Sequence, residues 1–274
     1  MVSKELILYF DKIRGAILNE DPDEDVVRLR EAAFASVRKD PGLHQLIPYF
    51  VQFIADKVTH SLKNTFVLRQ MLDLMAAMID NETLYIDPYV ASLIPPVLTC
   101  LIGRRLGSDE SDLQTQYQLR ELAASLVGLI ANKYAKSSQQ LRPRLVRTCL
   151  KQFLDPTKPL GTHYGAINGL SAVGGPETIR AVVLPNLKVY ETVLTKALNE
   201  GGHANTVGVD MVLGALIKAI RTLSEEDTMM LTNGTSNGEE QRKQGLVEFL
   251  GEMVGSRVAA LRLPALERAV LEAR

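Results

Sequence analysis

Apolar residues recur along this chain at the spacing of helix faces. In NTFVLRQMLDLMAAMID, Met71, Leu72, Met75, Met78 and Ile79 share one face of a helix. Leu119, Leu122, Ala123, Leu126, Leu129 and Ile130 form a second stripe, and Val209, Val212, Leu213, Leu216, Ile217 and Ile220 a third. No convincing series of alternating strands interrupts them. The pattern predicts an all-α fold.

A longer period overlies the helical one. LIPYFVQFI begins at Leu46, LIPPVLTCLI at Leu93, LRPRLVRTCL at Leu141 and VLPNLKVYET at Val183. Each is a short apolar lead, a proline, then an amphipathic segment. The prolines, Pro48, Pro95, Pro143 and Pro185, stand 47, 48 and 42 residues apart, close to the HEAT-repeat period of about 40–47 residues. Before each lies another helical segment ending in a turn, such as Asp40-Pro41-Gly42 or Asp80-Asn81-Glu82. The predicted unit is helix A, turn, then helix B with proline in its first turn, where no intrahelical amide is lost.

On this basis the repeats fall at about 25–60, 64–106, 115–156 and 160–200, with a fifth pair at 205–223 and 246–261. Residues 3–19 are expected to be an N-terminal cap helix and 263–274 a short terminal one. The polar stretch 224–245, SEEDTMMLTNGTSNGEEQRKQG, is expected to be a flexible insertion. The whole of 1–274 then reads as a single domain, a right-handed α-solenoid of about five HEAT-like repeats.

Composition narrows function mainly by exclusion. Hydrophobic residues make up 46% of the chain, aromatics 5%, and the formal net charge is -1. A near-neutral balance gives no global attraction to nucleic acid or an anionic membrane. Cys100 and Cys149 sit in apolar helical patterns with no metal-ligand spacing, so buried reduced thiols are expected. No apolar run approaches a membrane span, and the N-terminus lacks a signal-peptide pattern; a soluble intracellular protein is expected.

The segment GTHYGAINGLSAVGG, 161–175, is the first place to look for chemistry. Gly169 and Gly174 have a P-loop's first spacing, but Gly175-Pro176 stand where Lys and Ser/Thr should follow. Gly161, Gly165 and Gly169 instead lie four apart, a bare stripe if the segment is helical, suited to close approach of another backbone. That backbone could belong to the same chain or to a partner. Gly174-Gly175 before Pro176 reads as a helix stop. His163, at the head of the stripe, is the one histidine of interest; the others, His44, His60 and His203, are scattered. Gly234-Thr235-Ser236-Asn237-Gly238 matches G-x-S-x-G only as text, with no strand before it. No catalytic residue, metal site or cofactor is expected.

Charge supplies the remaining candidate. Between Lys133 and Lys158 lie seven basic residues and one acid, Asp155. Arg144, Arg147 and Lys151 occupy one ridge of a helix, with Arg142 nearby. The ridge is either a solvated helix face, a surface for an acidic protein segment, or a contact for nucleic-acid backbone. The aromatic interleaving that single-strand binding would want is lacking. The candidate partner-binding residues are therefore Arg142, Arg144, Arg147, Lys151, His163, Gly161, Gly165 and Gly169.

The repeats also carry a resemblance. DPGLHQLIPYFVQFI, DNETLYIDPYVASLIPPVLTCLIGRRL, QLRELAASLVGLIANKY and THYGAINGLSAVGGPETIRAVVLPNL, in that order, resemble the C-terminal HEAT-repeat region of the TFIID subunit 6 family of TATA-binding-protein-associated factors. The likeness covers about Lys4 to Leu198, and Leu84 to Arg105 is its most specific part. It implies a nuclear, non-enzymatic, architectural subunit of the RNA polymerase II preinitiation machinery. Its implied partners are other TFIID subunits and, in fungi, those of the SAGA coactivator; strong direct DNA contact is not implied. Such proteins carry an upstream histone fold, which is absent from this chain, so an excised domain with an added Met1 is expected. The alternative is a HEAT-type adaptor or transport scaffold for acidic peptides outside TFIID.

Overall fold

A computed structural model describes residues 2–108, 113–224 and 236–274, and among these there is no strand. The helices group into two compact units, one ending at Gln139 and the other beginning at Gln140. The division falls inside the residues expected to form the third repeat.

In the first unit α1 (Lys4–Leu18) starts at Ser3, whose hydroxyl accepts the Leu6 amide, and α2 (Glu24–Lys39) starts at Asp23. A 3-10 turn over Pro41–Leu46 leads into α3 (Ile47–His60), where Pro48 sits in the first turn as expected. α4 (Thr65–Asp80) is capped by Asn64, and its methionine face is core: Met71, Met75 and Met78 are fully buried. Asn81 closes α4. Its amide nitrogen donates to the carbonyls of Val37 and Asp40, tying the α4 turn to the end of α2.

The proline register differs from expectation in the next helix. α5 spans Val90–Ile102, preceded by a 3-10 turn over Asp87–Tyr89, so Pro95 and Pro96 lie inside it rather than in its first turn. Their missing amides orphan the carbonyls of Ala91 and Ser92, which belong to exposed residues and can be satisfied by water. The proline that leads into this helix is Pro88. α6 (Leu113–Lys133) also departs from its predicted stripe: Leu129 is exposed and Leu122 half-buried, while Val127, Ala131 and Arg120 are buried. Arg120 is 3% exposed and donates to the Leu101 carbonyl at 3.0 Å and the Gly103 carbonyl at 2.8 Å. Its guanidinium thus caps the C-terminus of α5, where cations are favoured. Cys100 is buried beside it, its thiol pushed up to about 12 by desolvation.

The second unit opens with α7 (Leu141–Leu154), which buries Leu141, Leu145, Cys149 and Phe153 along one face. α8 (Leu160–Thr178) packs against both α7 and α10. It is interrupted at Gly175, whose φ of 66° is the left-handed stop expected of the Gly174-Gly175 pair, before the chain turns again at Pro176. A π turn over Ile179–Val183 and a 3-10 turn over Leu184–Asn186, the latter holding Pro185, deliver the chain to α9 (Leu187–Glu200). α10 (His203–Arg221) follows.

Two expectations fail in the last part. The expected helix at 246–261 is broken: α11 (Ser236–Leu250) and α12 (Glu252–Ala260) meet at Gly251, with φ at 88°. Residues 236–245, expected to belong to the flexible insertion, form the first turns of α11. The physical reason lies in Glu239-Glu240-Gln241-Arg242-Lys243-Gln244, a run of good helix formers. Arg242 further pairs at 3.0 Å with Glu267 on α13 (Pro264–Leu271). The rest of the expected insertion, 225–235, lies outside the described residues. No helix among the described residues is long and apolar enough to cross a membrane.

Candidate functional site

The basic ridge is where the spacing placed it. With Leu141, Leu145, Cys149 and Phe153 turned into the core, Arg142, Arg144, Arg147 and Lys151 are left exposed on α7. From Arg142 to Lys151 the ridge runs about 14 Å along the helix axis at 1.5 Å per residue. No acidic partner is recorded for Arg144, Arg147 or Lys151 among the described residues, whereas Arg142 has a contact of its own. Unspent cations on one helix face attract anionic side chains or phosphates, through Arg forks that grip two oxygens at once.

The base of the ridge is fixed by a buried polar chain. His163, on the first turn of α8, is 0% exposed. Its Nε2 lies 2.7 Å from the Asp155 carbonyl, just past the end of α7, and its Nδ1 lies 3.0 Å from the Tyr190 hydroxyl on α9. A carbonyl can only accept, so Nε2 carries the hydrogen and Nδ1 accepts from Tyr190. Burial lowers the His163 pKa below 6.5, keeping the ring neutral despite the opposing pull of Asp155. The Tyr190 ring in turn packs on Phe153, with centroids 4.6 Å apart. Three helices meet at one imidazole.

Of the two readings of the glycine stripe this placement favours the same chain, and His163, a candidate partner contact, is turned inward with it. Gly165 and Gly169 are buried and Gly161 is half-buried, all within a unit where α8 is enclosed by α7 and α10. The neighbours of this bare backbone within the unit are α7 and α10. Tyr190 was not legible as the partner of His163, because nothing in the sequence links residues 27 apart across a glycine-rich helix and two irregular turns.

Among the described residues no group of three or more His, Cys, Asp or Glu side chains is placed to hold a metal ion. Of the G-x-S-x-G text, Gly234 and Thr235 lie outside the described residues, and Ser236 begins α11. Cys149 is buried beneath the ridge, its thiol raised to about 12 by desolvation and so unreactive.

Comparison with known proteins bears on the fold and the family. The model of the TAF6 C-terminal HEAT repeat domain matches residues 1–188. The SAGA complex/transcription factor TFIID complex subunit Taf6 of Schizosaccharomyces pombe is 45% identical over 226 residues, covering 82% of this chain and 49% of the relative. Transcription initiation factor TFIID subunit 6 of Arabidopsis thaliana is 37% identical over 222 residues, covering 80% of this chain and 39% of the relative. The chain thus spans about half or less of these relatives. Among solved structures, the TAF6 C-terminal domain from Antonospora locustae superposes with a TM-score of 0.57 at 29% identity, covering 78% of this chain and 98% of that one.

Proposed function

Because this chain belongs to the TAF6 C-terminal HEAT repeat family, we propose that it works as a non-catalytic docking scaffold in the nucleus, holding other subunits of TFIID, and of SAGA, during transcription initiation. The whole chain acts as one HEAT-repeat domain in this reading. The names of its relatives, which couple TFIID with SAGA in the fission-yeast protein, support that assignment. Partners are bound by shape and charge and are not chemically changed.

The observation that carries the surface assignment is the α7 ridge: three exposed cations without acidic partners among the described residues, on a helix whose far end is anchored by His163 and Tyr190. An acidic segment of another subunit, laid along that helix, would neutralise them. Capture from nuclear extract tests this, with wild type compared against the Arg144→Glu/Arg147→Glu double variant. The wild-type chain should retain TFIID and SAGA subunits, and the variant should lose at least one of them. Identical subunit recovery from both would remove the ridge from the reading. A steep fall in affinity for duplex DNA with rising salt would point instead to phosphate contact.

A further inference from the structure

A second surface of the same unit has the opposite chemistry. A groove of about 810 Å3 runs between α9 on one side and the α11–α12 junction on the other. That size lies within the range of small-ligand sites. Four of its charged residues are acidic, Glu191, Glu200, Glu248 and Glu252, against two lysines, Lys188 and Lys196. The carboxylates are not equally engaged. Lys196 stands 3.9 Å from Glu200, and Glu248 pairs at 2.8 Å with Arg274. Glu191 and Glu252 have no basic partner among the described residues; Glu252 accepts only from the Ser256 hydroxyl.

Gly251 makes the groove possible. Its φ of 88° breaks α11 from α12, and a β-carbon there would overlap the carboxylate of Glu191. The break therefore sets an acid of α9 against the first turn of α12, where the opening amides lack a side-chain cap. Val247 adds apolar lining, and Thr195 adds a hydroxyl. Arg274 on Glu248 shows that this wall already accepts a guanidinium from the chain itself.

We propose that the groove between α9 and the α11–α12 junction is a docking site for a basic, partly apolar peptide segment, with its arginine or lysine held by Glu191 and Glu252 and its apolar residues against Val247. Charge complementarity selects the occupant: two carboxylates without basic partners, one carried by α9 and one by α12, favour a cation and oppose an acidic chain. The site is separate from the α7 ridge in position and sign, so it stands whether or not acidic subunits bind that ridge.

A fluorescein-labelled peptide of alternating arginine and leucine is the probe, with its glutamate–leucine counterpart as control and the full chain as receptor. Anisotropy should report binding of the basic peptide alone, and amide chemical-shift changes should cluster on α9, α11 and α12. Glu191→Gln/Glu252→Gln should weaken binding about fivefold, as expected for two partly exposed ion pairs. Thr195→Arg, which places a cation in the groove, should weaken it by about tenfold or more. Arg144→Glu/Arg147→Glu should leave it intact. Equal affinity in wild type and both groove variants, or shifts confined to other helices, would overturn the assignment.

Discussion

α7 and α8 are consecutive helices of one unit, and each carries a run of unusual residues. On α7 the run is cationic and lies wholly on the exposed face, opposite Leu141, Leu145, Cys149 and Phe153. On α8 it is His163 with Gly165 and Gly169, and it lies wholly inside. Glycines and a histidine at helical spacing thus served packing, while charge at helical spacing marked a surface. The difference follows from desolvation. Four cations cannot be buried without partners at tolerable cost, so their side of α7 must face water. A glycine has no such constraint, and a neutral imidazole can be buried once both its nitrogens are bonded.

That contrast should break most sharply at the glycines. Gly169→Leu is expected to overfill the packing around α8 and cost about 3 kcal/mol, read as a lowered midpoint in urea denaturation. The same leucine placed on the exposed ridge, Lys151→Leu, should stay within about 0.5 kcal/mol. If Gly169→Leu were equally silent, the stripe would be a surface after all.

Removing the imidazole comes next. His163→Ala removes the imidazole's bonds to the Asp155 carbonyl and the Tyr190 hydroxyl and should cost about 2 kcal/mol. Tyr190→Phe, which removes one hydroxyl and keeps the ring against Phe153, should cost about 1 kcal/mol. The ordering of the two midpoints checks the polar chain; a larger loss from Tyr190→Phe would contradict it.

A smaller effect is acid sensitivity. His163 has a folded pKa below its ordinary 6.5, so on acidification the unfolded chain takes up that proton first. The contribution is full above pH 6.5 and is lost as pH falls through the lower folded value. Wild-type stability should therefore drop more between pH 7 and pH 5 than that of His163→Gln, measured by the same denaturation. Equal slopes would mean the ring titrates normally and is not shielded. Smallest of all in stability is Arg144→Glu/Arg147→Glu, expected within about 0.5 kcal/mol of wild type because both side chains are exposed. Its consequence lies in binding.

Much of the fold was legible because helix faces announce themselves through apolar spacing, as with Met71, Met75 and Met78. The proline marker worked where proline does fall early, at Pro48 and Pro143. It failed at Pro95, because the carbonyls orphaned there belong to exposed residues and the helix could begin five residues sooner, at Val90. The start of α11 was hidden by the polarity of 236–245, which reads as loop until Leu246 and Leu250 are seen buried behind it. At the candidate sites the divide is one of distance. The ridge depends on neighbours three and four residues apart and could be read directly. The His163–Tyr190 bond and the α9–α12 groove depend on residues brought together by irregular turns and by Gly251, and no local pattern encodes them.

The buried Arg120 has a consequence for how the first unit opens. Burial lowers its pKa only to about 10, so near neutrality it stays charged wherever it is. Its hydrogen bonds recorded among the described residues go to the final carbonyls of α5, not to a carboxylate. Were the end of α5 to fray while α6 stayed folded, the guanidinium would lose both of these acceptors at once, which couples the opening of the two helices. A cap built from a distant guanidinium thereby acts as a latch, turning two neighbouring helices into one cooperative piece.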